Sequence, residues 1–287
     1  MKENALRRFS IWLGLITSVA LTDAANELEN KSRYNLFNPT PENLLRELAT
    51  DRPDKTEGPT TVDAGHCQFE IDFATFTYDR TSGVQTKNWN VAAFNIRVGL
   101  LNNVELSLIF ESYLREAIDD RPARTMSTLS GIGDFITRLK INLWGDDGGH
   151  TAFALFPFVK FPTSTGGLGN ASVEGGAIFP FSIKLPAKIG MGMETGFSFL
   201  RNESGGNYHE EFVNSVTFTR EIIGKLSGYC EFFSSVSTEH DSEWIGTVDL
   251  GLTYLLTENL QLDCGCNIGV TRSADDINAF SGISVRF

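Results

Sequence analysis

Ionisable side chains in this chain of 287 residues recur on the polar rows of alternating segments, and they segregate by sign. Arg138, Lys140, Lys160 and Lys184 follow one another, whereas Glu194, Glu231, Asp249 and Asp263 come later, and Glu70 and Asp72 come first. A charge sealed away from bulk water must be paired or wetted. Such rows therefore point to one of two chemistries. The first is a water-filled passage with a basic wall facing an acidic one, whose transverse field orients polar solutes. The second is an interior closed by salt bridges.

The other reactive side chains form no constellation. Cys67, Cys230, Cys264 and Cys266 are even in number, which in an exported chain first suggests disulfides. All four fall on apolar rows, where a thiol behaves as a small hydrophobe, and residues 264 and 266 share a face about 7 Å apart, beyond disulfide reach. They are expected to be free and outward-facing. His66, His150, His209 and His240 fall at strand ends or in loops, with no G-x-S-x-G motif and no acid placed to orient a histidine. No histidine stands at ligand spacing from the cysteines. The expectation is no enzyme, no cofactor and no metal. Asn30, Asn170 and Asn202 each begin an Asn-x-Ser triplet, a pattern common by chance.

The charged rows must be positioned by strands. Twelve alternating stretches lie between His66 and Phe287. In the first, Cys67, Phe69, Ile71 and Phe73 oppose Gln68, Glu70 and Asp72; in the eleventh, Leu260, Leu262, Cys264, Cys266, Ile268 and Val270 oppose Gln261, Asp263, Gly265, Asn267 and Gly269. Period two requires strands. Connections after odd stretches read as long and polar (Asp79 to Asn88, Glu116 to Ser130, Pro162 to Ser172, Arg201 to Glu210), while those after even stretches are mostly short. An even strand count with long loops at one rim and short turns at the other is the pattern of a transmembrane antiparallel β-barrel, all-β, of about twelve strands. That size predicts a narrow bore. Pro157 and Pro180 fall inside strands five and six, where each deletes a ladder donor and calls for a bulge or a rim position.

Ahead of the strands, Lys2, Arg7 and Arg8 precede an apolar run from Ile11 to Leu21 and small residues at Thr22-Asp23-Ala24. This reads as a signal peptide over residues 1 to 24. Its removal takes away three basic and two acidic side chains, moving the formal charge from -12 to -13. So acidic a chain is no partner for nucleic acid. Residues 25 to 65 form a periplasmic segment, in which Thr40-Pro41 and Leu44, Leu45 and Leu48 predict a helix of about two turns. The run Asp51-Arg52-Pro53-Asp54-Lys55-Thr56-Glu57-Gly58-Pro59 forbids regular structure, so it is a solvated linker or a partial plug of the barrel of residues 66 to 287.

The run from Thr50 to Gly65, Gly131-Ile132-Gly133-Asp134 with Arg138-Leu139-Lys140, Gly145-Asp146-Asp147-Gly148-Gly149 and Phe158-Val159-Lys160-Phe161-Pro162 resemble the outer-membrane transporter family of the MetA pathway of phenol degradation. Val173-Glu174-Gly175-Gly176 and the ending Ser284-Val285-Arg286-Phe287 fit as well. The resemblance implies a barrel admitting aromatic or other small organic compounds, without catalytic residues. The terminal Phe287 resembles the signal read by the barrel assembly machinery. The resulting expectation is a cell outer membrane channel, in contact with outer-membrane lipid, passing small organic solutes passively through a lumen lined by Arg138, Lys140, Lys160 and Lys184 on one wall and Glu70, Asp72, Glu194, Glu231, Asp249 and Asp263 on the other. The alternative is a structural or surface-interaction barrel closed by those same charges.

Overall fold

A computed structural model describes residues 30 to 202 and 206 to 287. The expected signal peptide lies outside the described residues. Strand segments run β1 Cys67–Thr81, β2 Val84–Val91, β3 Phe94–Leu101, β4 Val104–Phe110, β5 Tyr113–Asp120, β6 Thr125–Gly131, β7 Phe135–Trp144, β8 Thr151–Phe161, β9 Glu174–Leu185, β10 Ile189–Arg201, β11 Tyr208–Ile223, β12 Leu226–Ser237, β13 Ile245–Thr257, β14 Leu260–Gly269 and β15 Ile277–Arg286. All pair antiparallel in one sheet of fifteen segments, and β15 closes on β1 from Gln68↔Arg286 to Tyr78↔Ile277. The segments β2 and β3, β4 and β5, and β6 and β7 are successive parts of single staves, so the closed barrel has twelve. Closure leaves no free sheet edge around the bore, which removes the edge-pairing hazard of an open sheet.

The three interrupted staves break at one level. Pairing of β1 passes from Ile71↔Phe94 to Ala74↔Val91, that of the next stave from Phe94↔Phe110 to Val91↔Tyr113, and the following one from Ile109↔Ile136 to Leu114↔Gly131. Backbone bonds from Asp72 to Ala93 and from Gly133 to Glu111 stitch the level together. This corrects two expected loops. Most of Asp79 to Asn88 and of Glu116 to Ser130 is strand, drawn into long hairpins that turn at Ser82-Gly83 and between β5 and β6. Their sequences are polar on both faces because they stand beyond the apolar belt, so they lack the alternation that marks the strands below.

Two further expectations change. The helix of about two turns is a single 3-10 turn, Glu42–Leu44, because Leu45 is already extended at ψ 143° and the chain turns toward the barrel. The prolines occupy neither bulge nor rim. Pairing of β7 with β8 skips from Arg138↔Phe158 to Ile141↔Leu155 beside Pro157, and that of β8 with β9 skips from Phe153↔Phe181 to Phe156↔Ile178 beside Pro180. Each missing donor coincides with an opening in one ladder.

Polarity is inverted relative to a water-soluble domain. Outward Phe218, Leu250, Leu252 and Phe232 are exposed, while Arg97, Glu105, Lys140 and Asp249 have no exposure at all. Outward phenylalanines from four adjacent staves, Phe94, Phe110, Phe135 and Phe161, stack around the wall at centroid distances of 5.0, 4.7 and 5.9 Å. Such an aromatic band bounds the apolar belt of membrane barrels. No helix among the described residues is long and apolar enough to cross a membrane.

Candidate functional site

The lumen is occupied by the chain's own residues 45 to 63. This stretch enters at the short-turn rim, where Arg286 Nη1 donates to the Arg46 carbonyl at 2.7 Å. It returns to the same rim, where the Thr61 amide donates to Asp146 at 2.9 Å. It is therefore a loop inserted from one end. With no strand propensity and two prolines at positions 53 and 59, its backbone donors cannot join the sheet and must find side-chain acceptors instead.

Those acceptors are the inward carboxylates. The amides of Lys55 and Thr56 donate to Glu231 at 2.9 and 2.7 Å, that of Glu57 to Glu194 at 2.6 Å, that of Val62 to Glu105 at 2.7 Å and that of Asp51 to Glu70 at 3.1 Å. Side chains complete the fit by sign. Two of the loop's acids meet basic wall residues: Lys140 Nζ reaches Asp51 at 2.6 Å, and Arg138 pairs with Glu57. Its bases face the acidic wall: Arg52 reaches Asp263 at 2.7 Å and pairs with Asp72, and Lys55 Nζ lies 3.3 Å from Asp249. Arg138 and Lys140 thus meet the loop on one side, and Asp72, Asp249 and Asp263 meet it on the other.

Two buried residues at the centre were not singled out in the sequence. Arg97 contacts Glu70 and Glu105 at 2.8 Å each and Asp51 at 3.4 Å, and it donates to the carbonyls of Ala49 and Thr60 at 3.1 Å. Glu105 also lies 3.6 Å from Lys140. Both sit on the polar rows of β3 and β4, so alternation alone would have nominated them. Gly99, next on the inward row, lets the returning loop touch the wall, since a Cβ there would stand 2.1 Å from the Asp63 carbonyl oxygen.

The remaining predicted wall residues lie apart from the loop. Lys160 pairs with Glu174 at 2.5 Å and Asp134 at 3.4 Å toward the long-loop rim. Lys184 is exposed at the short-turn end of β9, bordering the space left beside the loop. A cavity of about 440 Å³ remains there, between the loop and the wall of β9 to β14, with Leu48, Pro53, Gly190, Gly192, Thr217 and Tyr229 among its lining.

At the short-turn rim a polar latch ties the loop to the turns. Arg46 donates to Asp147 at 3.0 Å and to the Asn102 carbonyl at 2.6 Å, and Lys31 reaches Asp147 at 3.0 Å. Burial pushes the Asp146 carboxyl up to about 6, against the pull of Arg46 and of the Thr61 hydrogen bonds. Burial acts on Asp147 in the same sense, but the Asn102 hydrogen bond and the Arg46 charge hold it below the usual carboxylate range.

The four cysteines are free thiols, on outward rows as expected. His66 bridges the carbonyls of Thr40 and Phe287 at 2.7 and 3.1 Å, and His209 contacts Asn202 at 3.0 Å and Glu239 at 3.6 Å. His240 lies 2.8 Å from Asp241. Phe287 ends the chain beside β1, exchanging backbone bonds with Cys67 and meeting Phe69 edge-on at 5.8 Å.

Among solved structures the barrel is similar to an outer membrane channel from Pseudomonas putida F1, at 10% identity over 83% of this chain and 100% of that one, with a TM-score of 0.57. It is also similar to the NanC porin, at 10% identity over 75% and 98% with a TM-score of 0.49, and to the translocator domain of the autotransporter NalP from Neisseria meningitidis, at 8% over 77% and 88% with 0.48. At such identities the likeness to the Pseudomonas putida channel bears on the fold alone. No curated protein matches the chain in sequence. The sequence pattern of one family matches residues 50 to 287, which takes in the inserted loop from Thr50 onward together with every strand, and the chain belongs to that family, described as "Putative MetA-pathway of phenol degradation".

Proposed function

We propose that this protein is an outer membrane channel for small organic solutes, aromatic compounds among them, whose lumen its own residues 45 to 63 hold narrow. The observation that carries this reading is the fit of the loop. Its contacts with the wall are mainly hydrogen bonds and ion pairs, joined by the Lys55 ammonium over the Phe233 ring at 4.4 Å, and a cavity of about 440 Å³ stays open beside it. Polar contacts of this kind can be exchanged for water when the loop shifts, whereas an apolar plug would have to expose oily surface. Family membership supports the solute class, and the apolar belt with its aromatic band supports placement in an outer membrane. The long hairpins then face outward and the loop enters from the periplasm.

The completeness of the ion pairing around Arg97 favours a second reading, a closed structural barrel whose interior is a salt-bridged core. Planar-bilayer recording separates the two. Discrete openings whose conductance changes on Lys140→Glu or Asp249→Lys support the channel, and electrical silence of the full chain and of both variants supports the closed barrel.

A further inference from the structure

The outer wall carries a feature that conduction does not use. On the lipid side of β11 to β14, short residues run between tall ones and leave a groove of about 700 Å³. Gly228, Cys230 and Cys264 form its floor, and Phe218, Ile222 and Leu252 stand beside it. The register explains the shape. Gly228 stands between Arg220 and Leu252, and Cys230 between Phe218 and Leu250.

Arg220 lines the same groove. Its row on β11 reads Phe212, Asn214, Val216, Phe218, Arg220, Ile222, so it points outward with the apolar belt. The belt continues past it toward the rim, since Ile222 is 59% exposed and Tyr254 and Leu256 on β13 are exposed too. Arg220 is itself exposed, and among the described residues its side chain has no acidic partner. The neighbouring Glu221 lies 3.9 Å from Lys188. An unpaired guanidinium on a lipid-facing row is costly unless an anion meets it.

We infer that the groove seats an anionic phospholipid of the periplasmic leaflet, its phosphate held by Arg220 and one acyl chain lying over Gly228 and Cys230. This rests on the membrane placement proposed above. Charge complementarity decides the occupant. A second copy docking wall to wall brings no carboxylate to this level, because the outward rows Phe212 to Ile222 of β11 and Val248 to Tyr254 of β13 contain none. A phospholipid brings an anionic phosphodiester there, joined to the apolar chain that the groove accommodates, and guanidinium is the cation whose fork matches it.

The full chain in mild detergent, titrated with dioleoylphosphatidylglycerol or dioleoylphosphatidylcholine and read by native mass spectrometry, tests the site. Both lipids carry the phosphodiester, but the choline ammonium neutralises its headgroup, so retention of the net-anionic glycerol lipid is expected to exceed that of the choline lipid about tenfold. The preference should vanish in Arg220→Gln, survive in Arg124→Gln at the far hairpin tip, and persist in Cys230→Leu with both lipids bound less. Equal retention of the two lipids by the wild-type chain, or an Arg220→Gln chain that keeps the preference, would overturn the site alone if the chain co-floats with liposomes. A chain that floats with liposomes of neither lipid would remove the membrane placement and the site together.

Discussion

Replacing Lys140 by methionine is the sharpest perturbation of the inserted loop. Lys140 is fully buried, and its Nζ lies 2.6 Å from Asp51 and 3.6 Å from Glu105. Methionine keeps most of the side chain's volume and removes only the charge. Breaking a buried pair by deleting one partner costs roughly 3 to 5 kcal/mol, because the other charge is left buried. Arg97 stands 3.4 Å from the same Asp51 oxygen and retains part of the attraction, so the lower bound applies. A loss of about 3 kcal/mol raises the population with the loop displaced by roughly a hundredfold. The strands themselves keep their ladders, so the damage is confined to the loop. Amide hydrogen exchange reads it directly, since Asp51, Lys55, Thr56 and Glu57 each donate a backbone N–H to a wall carboxylate and become exchangeable only when the loop leaves. A peptide covering residues 50 to 60 should exchange about a hundredfold faster in Lys140→Met, with peptides from β10 to β15 unchanged. If that peptide exchanges at the wild-type rate, the ion pairs do not hold the loop.

Other outcomes follow from the same geometry. Asp146 binds its proton more tightly in the fold than its ordinary value of 3.8 allows in the unfolded chain, so stability falls as pH rises from about 4 to about 6 and the full penalty, about 3 kcal/mol, persists above that window. Asp146→Asn should remove this pH dependence, seen as a shrinking difference in thermal midpoint between the two proteins as the pH is lowered to 4. Gly99→Val forces a Cβ against the Asp63 carbonyl, and it is expected to accelerate exchange of residues 60 to 64 while the barrel retains its strand signal by circular dichroism. The four thiols should all react with a membrane-permeant maleimide in detergent, with no change of mobility on adding reductant; a species lost on reduction would refute their assignment as free outward thiols.

Alternation made the barrel legible because the two faces of each stave meet different solvents. Leu260 to Gly269 reads the same in sequence and in structure, with Cys264 outward and Asp263 inward. The upper hairpins were hidden because β5 and β6 have water on both sides and nothing to force a period of two. The wall residues were legible from their polar rows, but their partners were not. Nothing local in Asp51 to Pro59 says that its acids and bases will meet carboxylates and lysines up to 211 positions away, as Arg52 meets Asp263. Charge count offers the missing signal. Buried acids such as Glu231 and Asp249 in a narrow bore need donors that the wall itself does not supply, and the run from Thr50 to Pro59 is the adjacent stretch of chain rich enough to provide them.

A plug made of ion pairs invites comparison with one made of oil. Buried pairs contribute little net stability, because desolvation offsets most of their attraction, and apolar residues of similar volume often hold a core more firmly. The difference lies in what happens when the loop moves out. Asp51, Arg52, Lys55 and Glu57 regain water on leaving, and so do Lys140, Asp249 and Asp263 on the wall, so the displaced state recovers the hydration that seating removed. An apolar loop would recover nothing and would stay seated. The double variant Asp51→Leu with Lys140→Met should therefore act opposite to the single one. With both charges gone, and with Arg97 still satisfied by Glu70 and Glu105 at 2.8 Å, the loop sits at least as firmly as in the wild type. Exchange of residues 50 to 60 should return to the wild-type rate or below it, and bilayer openings should become rarer than in the wild type. A double variant that opens as often as Lys140→Met alone would show that the pair does not govern seating, because removing its second member would then have restored nothing.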